Sequence, residues 1–299
     1  KAFAAAGEVT LIVKVSSDNG KVAALGNSNN GQSILKNLEK RGIIVMNVEA
    51  DKVETIKNEL LARDDVEAVE EDQEVRAFSS AEMADLRGRR LTEEATPWGI
   101  DMVNSMYVNE MNTPEGFQAK KICVVDTGYG NGHPDLPVLN TTTDGFNPYT
   151  SGLWHVDGNS HGTHCAGTIG AIGGNDEGVT SVNPNSTKFS FFIGKGLTDM
   201  GTGSSVGVMS AVQACVDNGS DLISMSLGGG PFSQIESDEF LNHYNNGVLI
   251  IAAAGNAGND VKSYPASYRS VMSVSAVDVS QDLFIGNQYN DQIEISAPG

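Results

Sequence analysis

Residues 121–128 read Lys121-Ile122-Cys123-Val124-Val125-Asp126-Thr127-Gly128. The run 122–125 is continuously apolar, the pattern of a short strand buried on both faces. Similar runs lie at 188–193, 221–225, 248–254 and 271–277, with helical patterns at 204–218 and 234–246 between them. This alternation predicts an α/β fold, a parallel sheet with helices on both faces. In such sheets chemistry sits at the carboxyl ends of strands. Asp126 directly follows the strand 122–125.

Upstream the pattern differs. Residues 8–15 and 43–48 read as strands and 32–40 as a helix. A second helix is capped by Asp51 and runs to 61, and 66–78 is extended. The order β-α-β-α-β predicts a small α+β unit with an antiparallel sheet, of the ferredoxin-like kind, over residues 1–78. Its acidic run, 67–74, is either a solvated face or a charged docking strip. Residues 79–96 read as a linker, and Arg87-Gly88-Arg89-Arg90 within it is a basic cluster open to proteolysis. Residues 97–299 form the larger domain.

The 299 residues suit one large or two unequal domains, and 39% hydrophobic content supports a substantial core. A net charge of −19 argues against nucleic-acid binding, which needs Lys and Arg on phosphates. It favours cations such as calcium, or simply a solvated acidic surface. No run approaches the roughly 20 apolar residues of a membrane-spanning helix. Three cysteines, Cys123, Cys165 and Cys215, allow at most one intrachain pair, and the sequence does not choose it. The first residues lack a signal-peptide apolar region, so any secretory leader is expected to lie outside this stretch. Sequons occur at Asn140, Asn185 and Asn218.

Four segments carry chemistry. They are Asp126-Thr127-Gly128, Asn159-Ser160-His161-Gly162-Thr163-His164-Cys165-Ala166-Gly167, Ser224-Met225-Ser226-Leu227-Gly228-Gly229, and Ala252-Ala253-Ala254-Gly255-Asn256. A buried carboxylate fixes the tautomer of a histidine, which then takes a proton from a serine hydroxyl. A side-chain amide donates to the oxyanion that develops. Together these segments resemble the subtilisin-like serine peptidases, over about 98–299, and the Asp-before-His order agrees with that family.

The resemblance implies Asp126 as orienting acid, His161 as general base and acid, and Asn256 as oxyanion donor. It implies one wall of the substrate pocket at Ser226, Leu227 and Gly228. The opposite wall falls at Ala253, Ala254 and Gly255, with Ser263 near the floor. Gly201, Thr202 and Gly203 become an edge that pairs with an extended peptide. Small residues there leave room for an apolar or aromatic side chain. A structural calcium is implied at Asp135 and the loop 172–179, with Asn175, Asp176 and Glu94 as further ligands. Residues 1–78 become a proregion, folding aid and intramolecular inhibitor, its tail in the groove like a product. Maturation is then expected after about Phe78, by the enzyme itself, or after Arg90, by another protease. The family's nucleophile follows an Ala-Pro-Gly, which here is Ala297-Pro298-Gly299, so it is expected beyond this chain. The implied protein is a monomeric zymogen of a serine endopeptidase, secreted or vacuolar/lysosomal, acting on peptides or proteins. Residues 1–299 alone are expected to be inactive.

Rival readings remain. One is a catalytically dead relative that binds peptides. A second is a zinc protein using His161, His164 and Cys165, at helical spacing i, i+3, i+4. A third takes Gly128-Tyr129-Gly130-Asn131-Gly132 as a dinucleotide fingerprint, but His133-Pro134 stands where its helix should begin. Ser204, in Gly203-Ser204-Ser205, faintly resembles the nucleophile motif but aligns with the peptide edge.

Overall fold

The computed structural model of the chain describes residues 5–16, 38–78, 93–110 and 117–299, without the side chains of 108–110. The amino-terminal part is built from β1 (Glu8–Val15), β2 (Ile43–Glu49), α1 (Val53–Leu61), β3 (Val66–Glu71) and β4 (Glu74–Ala77). β1 lies between β2 and β3 and pairs antiparallel with both. The expected helix at 32–40 falls largely outside the described residues. Asp51 does not cap α1. It lies in a 3-10 turn, Ala50–Lys52, and Lys52 occupies the cap position. The chain tightens before entering the helix, which moves the cap and the start one residue on.

The sheet's two faces differ. Leu11, Val13 and Val15 turn towards α1 in one core with Val53 and Leu60. Ile12 and Ile43 turn the other way. With Leu38 they pack against Val206, Met209 and Ile235 of the larger domain. Each such side chain withdrawn from water contributes about 1.5–3 kcal/mol. The small unit is thereby seated on two helices of the larger one.

That domain contains α2 (Trp98–Met102), α3 (Ser105–Glu110), β5 (Lys120–Asp126), β6 (Gly145–Phe146), α4 (His161–Gly170), β7 (Phe189–Lys195) and β8 (Thr202–Ser204). It continues with α5 (Ser205–Asp217), β9 (Leu222–Met225), β10 (Leu227–Gly228), α6 (Gln234–Asn245), β11 (Leu249–Ala253), β12 (Met272–Val277) and β13 (Ile293–Pro298). Seven strands form one sheet in the order β13-β12-β11-β9-β5-β7-β6, every pairing parallel. Side-chain alternation along β5 shows why both faces need cover. Cys123 and Val125 enter a core with Val208, Val212 and Phe240, from α5 and α6. Ile122 and Val124 enter the opposite core with Ala166 of α4 and with Trp154.

β5 is also where the order reverses. The chain builds outward through β7 and β6 on one side and through β9, β11, β12 and β13 on the other. Ligand sites in open α/β sheets lie at such a switch point. Asp126, the last residue of β5, is therefore at the carboxyl end of the switch-point strand. A disulfide joins Cys123 to Cys215, tying β5 to α5, and Cys165 is free. No helix among the described residues is long and apolar enough to cross a membrane.

Candidate active site

His161 opens α4, and its Nδ1 lies 2.7 Å from Oδ1 of Asp126. Both side chains are almost fully buried. The helix can approach the strand this closely because residue 162 is glycine: a Cβ there would collide with the Gly128 carbonyl. Asp126 Oδ1 also accepts the Thr127 N–H at 2.7 Å, while its Oδ2 is buried with no hydrogen-bond partner. Burial opposes the imidazolium, but the hydrogen bonds and charges of Asp126 and Cys165 together outweigh it and hold His161 above its ordinary range.

The second ring nitrogen faces the small unit. His161 Nε2 lies 3.0 Å from the carbonyl oxygen of Phe78. A carbonyl only accepts, so Nε2 carries a proton in this contact. With Nδ1 donating to Asp126, the ring is an imidazolium.

Phe78 reaches this place because β4 leaves its own sheet. It pairs antiparallel with β8 on one side and β10 on the other. The Ala77 N–H donates to Gly201 O at 2.9 Å and the Phe78 N–H to Ser226 O at 3.0 Å. Thr202 and Gly203 face Arg76 and Val75, while Leu227 and Gly228 face Ala77 and Arg76. The Phe78 ring lies over Gly228, where a Cβ would sit 2.5 Å from its Cζ and 2.9 Å from Ser263 Oγ. Ser226, Ala253, Ala254, Gly255 and Asn256 line a cleft of about 340 Å³ that Ala297, Pro298 and Gly299 also border.

The acidic strip is a docking surface. Glu70 accepts from Ser233 Oγ at 2.5 Å and from the Gln234 N–H at 3.0 Å, at the start of α6. Asp72 accepts from Ser205 Oγ and from the Val206 N–H, both at 3.0 Å, at the start of α5. Lys14 and Arg41 pair with Glu239 of α6 at 2.7 and 2.9 Å. Between these acids Glu236 is buried, with one oxygen bonded to Tyr268 OH at 2.8 Å and the other unpartnered. Burial pushes Glu236 up to about 7 against that bond, and the charges of Asp72 and Glu70 add to the effect.

Three rival readings find no support in the geometry. The zinc trio is not assembled: His164 is exposed, and the residues whose ligand atoms converge are Asp126, His161 and Cys165. Burial and the Asp126 charge push the Cys165 thiol up, which disfavours the thiolate a metal needs. Ser204 is no nucleophile candidate. It is buried, and its Oγ accepts the Gly207 N–H at 3.2 Å as the cap of α5. No helix follows Gly132, so the dinucleotide reading has no phosphate-binding terminus.

The calcium candidates come together in part. Asp135 is buried and accepts from Asn175 Nδ2 at 3.0 Å and from the Val179 N–H at 2.9 Å. Glu94 accepts from the Gly174 N–H at 2.7 Å and the Asn175 N–H at 3.2 Å. Glu94 and Asp135 thus bring hard carboxylate oxygens, of the kind calcium takes, to one loop, while Asn175 turns its amide nitrogen to Asp135 and its oxygen to the Glu177 N–H. Asp176 is an exposed residue at φ 59°.

Sequence reasoning missed three residues around the pair: Thr127, Asp157 and Lys195. The Lys195 ammonium is buried and donates to the Thr127 carbonyl and, at 2.6 Å, to Asp199. A lysine inside an apolar strand end was the available signal.

Residues 118–299 match the family model described as the Subtilase family. The chain is 33% identical to subtilisin DY from Bacillus licheniformis over 213 residues, covering 69% of this chain and 73% of that one. It is 35% identical to the thermostable alkaline protease of Halalkalibacterium halodurans, covering 69% of this chain and 54% of the relative. The crystal structure of the psychrophilic subtilisin-like protease Apa1 from the Antarctic psychrotroph Pseudoalteromonas sp. AS-11 is similar at 43% identity and a TM-score of 0.60. That match covers 69% of this chain and 46% of the other. The chain thus spans about half the length of the last two. The matched segment holds Asp126, His161, Asn256 and the whole seven-stranded sheet, and on these grounds the chain belongs to the subtilase family.

Proposed function

We propose that the chain is the larger part of a serine endopeptidase zymogen. Asp126 orients and stabilises His161, which acts as general base and then general acid. Asn256 donates to the oxyanion. The nucleophilic serine is supplied by sequence that follows Gly299. Residues 1–78 are an intramolecular inhibitor, and 79–96 hold the maturation site. The substrate is a peptide or protein bound as an added strand between residues 201–203 and 226–228, with an apolar or aromatic side chain over Gly228. Glu94 and Asp135 would hold a calcium ion whose charge stiffens the loop 172–179. The mature enzyme is read as a secreted or vacuolar/lysosomal monomer, with neither nucleic acid nor membrane as partner.

One observation carries this reading. The Phe78 carbonyl lies 3.0 Å from His161 Nε2 while β4 fills both peptide-binding edges. This supports reading the tail through Phe78 as a product-like inhibitor of the groove.

The test uses an active-site serine probe, a fluorophosphonate. The natural protein carried past Gly299 is expected to be labelled, and its mature amino terminus to begin within 79–96. Residues 1–299 are expected to remain unlabelled. Labelling of 1–299 at Ser204, or no labelling of the longer protein, overturns the proposal.

A further inference from the structure

We infer that Asp157 is the positioning residue of the Asp126–His161 pair. The inference rests on the reading of that pair as catalytic. Asp126 ends a strand and His161 begins a helix, and nothing covalent near them fixes one against the other. A base must nevertheless be held to a fraction of an ångström.

The Asp157 carboxylate is half-buried and accepts five hydrogen bonds, from both sides of the gap. Oδ1 takes Thr127 Oγ1 at 2.9 Å from the strand side. The same oxygen takes the N–H groups of Asn159 at 3.1 Å and Ser160 at 3.0 Å. Oδ2 takes the Thr163 N–H at 2.9 Å and Thr163 Oγ1 at 2.6 Å, from α4. Burial would raise the Asp157 pKa, but these bonds hold it below the usual carboxylate range.

The two threonines show what the carboxylate achieves. Each gives its hydroxyl hydrogen to Asp157 and so turns a lone pair across the gap. Thr127, on the strand end, accepts the Gly162 N–H of the helix at 2.9 Å. Thr163, on the helix, accepts the Gly130 N–H of the loop after the strand at 2.9 Å. The two crossings run in opposite directions and are polarised by one anion. Ser160, immediately before His161, sits at φ 77°, a left-handed conformation that costs a non-glycine residue. The Asp157 bonds to the Asn159 and Ser160 amides keep the backbone there. An asparagine could not replace the acid: its amide nitrogen brings donors to a place where five groups already donate.

The test is proton NMR on residues 1–299, following the His161 Nδ1 proton and the ring's titration midpoint. In Asp157→Asn the low-field Nδ1–H resonance is expected to be lost and the midpoint to fall towards the ordinary histidine value. Thr127→Val and Thr163→Val are each expected to do the same in part. In the protein that carries the nucleophile, Asp157→Asn should lower kcat by about 10²-fold with KM unchanged. A folded Asp157→Asn chain with the resonance and midpoint intact overturns the inference. Should that variant fail to fold, unchanged spectra in both threonine variants overturn it equally. The NMR readout needs no serine, so absent labelling of the longer protein would break the proposed function and leave this inference standing.

Discussion

Three helices of the larger domain begin at a carboxylate, but the acids come from different places. α4 starts at Asp157, four residues away in its own domain. α5 and α6 start at Asp72 and Glu70, which belong to the small unit. The physics is the same in each case: an anion satisfies N–H groups that the helix leaves open and meets the positive end of its dipole. The consequences differ. A cap from within the domain persists and can hold His161 in place. A carboxylate lent by another unit depends on that unit's contact, while Ser204 and Ser233 remain as caps of α5 and α6 from within the domain.

The largest test of this contrast is pH. Burial raises Glu236 to about 7, and docking adds to that shift by bringing the charges of Asp72 and Glu70 beside it. A group whose pKa is raised in the docked state stabilises it below the undocked value, and that stabilisation is lost as pH rises through the docked value. Docking is therefore expected to weaken as pH rises towards about 7, by less than about tenfold per pH unit because only the Asp72 and Glu70 part of the shift belongs to docking. Protonated His161 on the Phe78 carbonyl adds a term of the same sign at higher pH. Glu239, held low by Lys14 and Arg41 despite its burial, acts oppositely and only in the more acidic range. Hydrogen exchange of the Ala77 and Phe78 amides against pH reads the effect. Glu236→Gln should flatten the profile between pH 4.5 and 7, and an unaltered profile would show that Glu236 does not couple to docking.

A smaller effect is expected from the ring over Gly228. Phe78→Ala should loosen the tail by about 2 kcal/mol, near 30-fold in exchange of the same amides. The Thr163 amide on Asp157 should not respond. The smallest effect belongs to the lent caps. Glu70→Gln should speed exchange at Gln234, and Asp72→Asn at Val206, each by about fivefold for roughly 1 kcal/mol. If either change also exposes the Thr163 amide, the two kinds of cap are not independent and the contrast fails.

Much of this was legible in the sequence, for identifiable reasons. The apolar run at 122–125 showed a buried parallel strand, and the turn from strand to Asp-Thr-Gly placed Asp126 at a functional end. The caps of α5 and α6, Ser204 and Ser233, lie beside helical patterns that the sequence displayed. Other features left no local trace. β6 has two residues and β13 ends in a proline, so neither has a strand's signature. The pairing of Cys123 with Cys215 spans 92 residues. Glu70 and Asp72 looked like part of a solvated acidic run because their partners lie more than 130 residues downstream. Asp157 resembled any loop aspartate, since its meaning lies in Thr127 and Thr163 facing it across a gap.

The disulfide has a further consequence, for damage rather than for folding. Cys123 and Cys215 close a covalent ring that contains Asp126, His161 and the peptide edge at 201–203. Within that ring Leu153, Val156 and Met200 are exposed, side chains of the kind an apolar-selective peptidase would attack on its neighbours. A single cut beside any of them leaves both fragments joined through the sulfurs, with the sheet still paired around the break. The ring therefore makes a first proteolytic nick within it a survivable one.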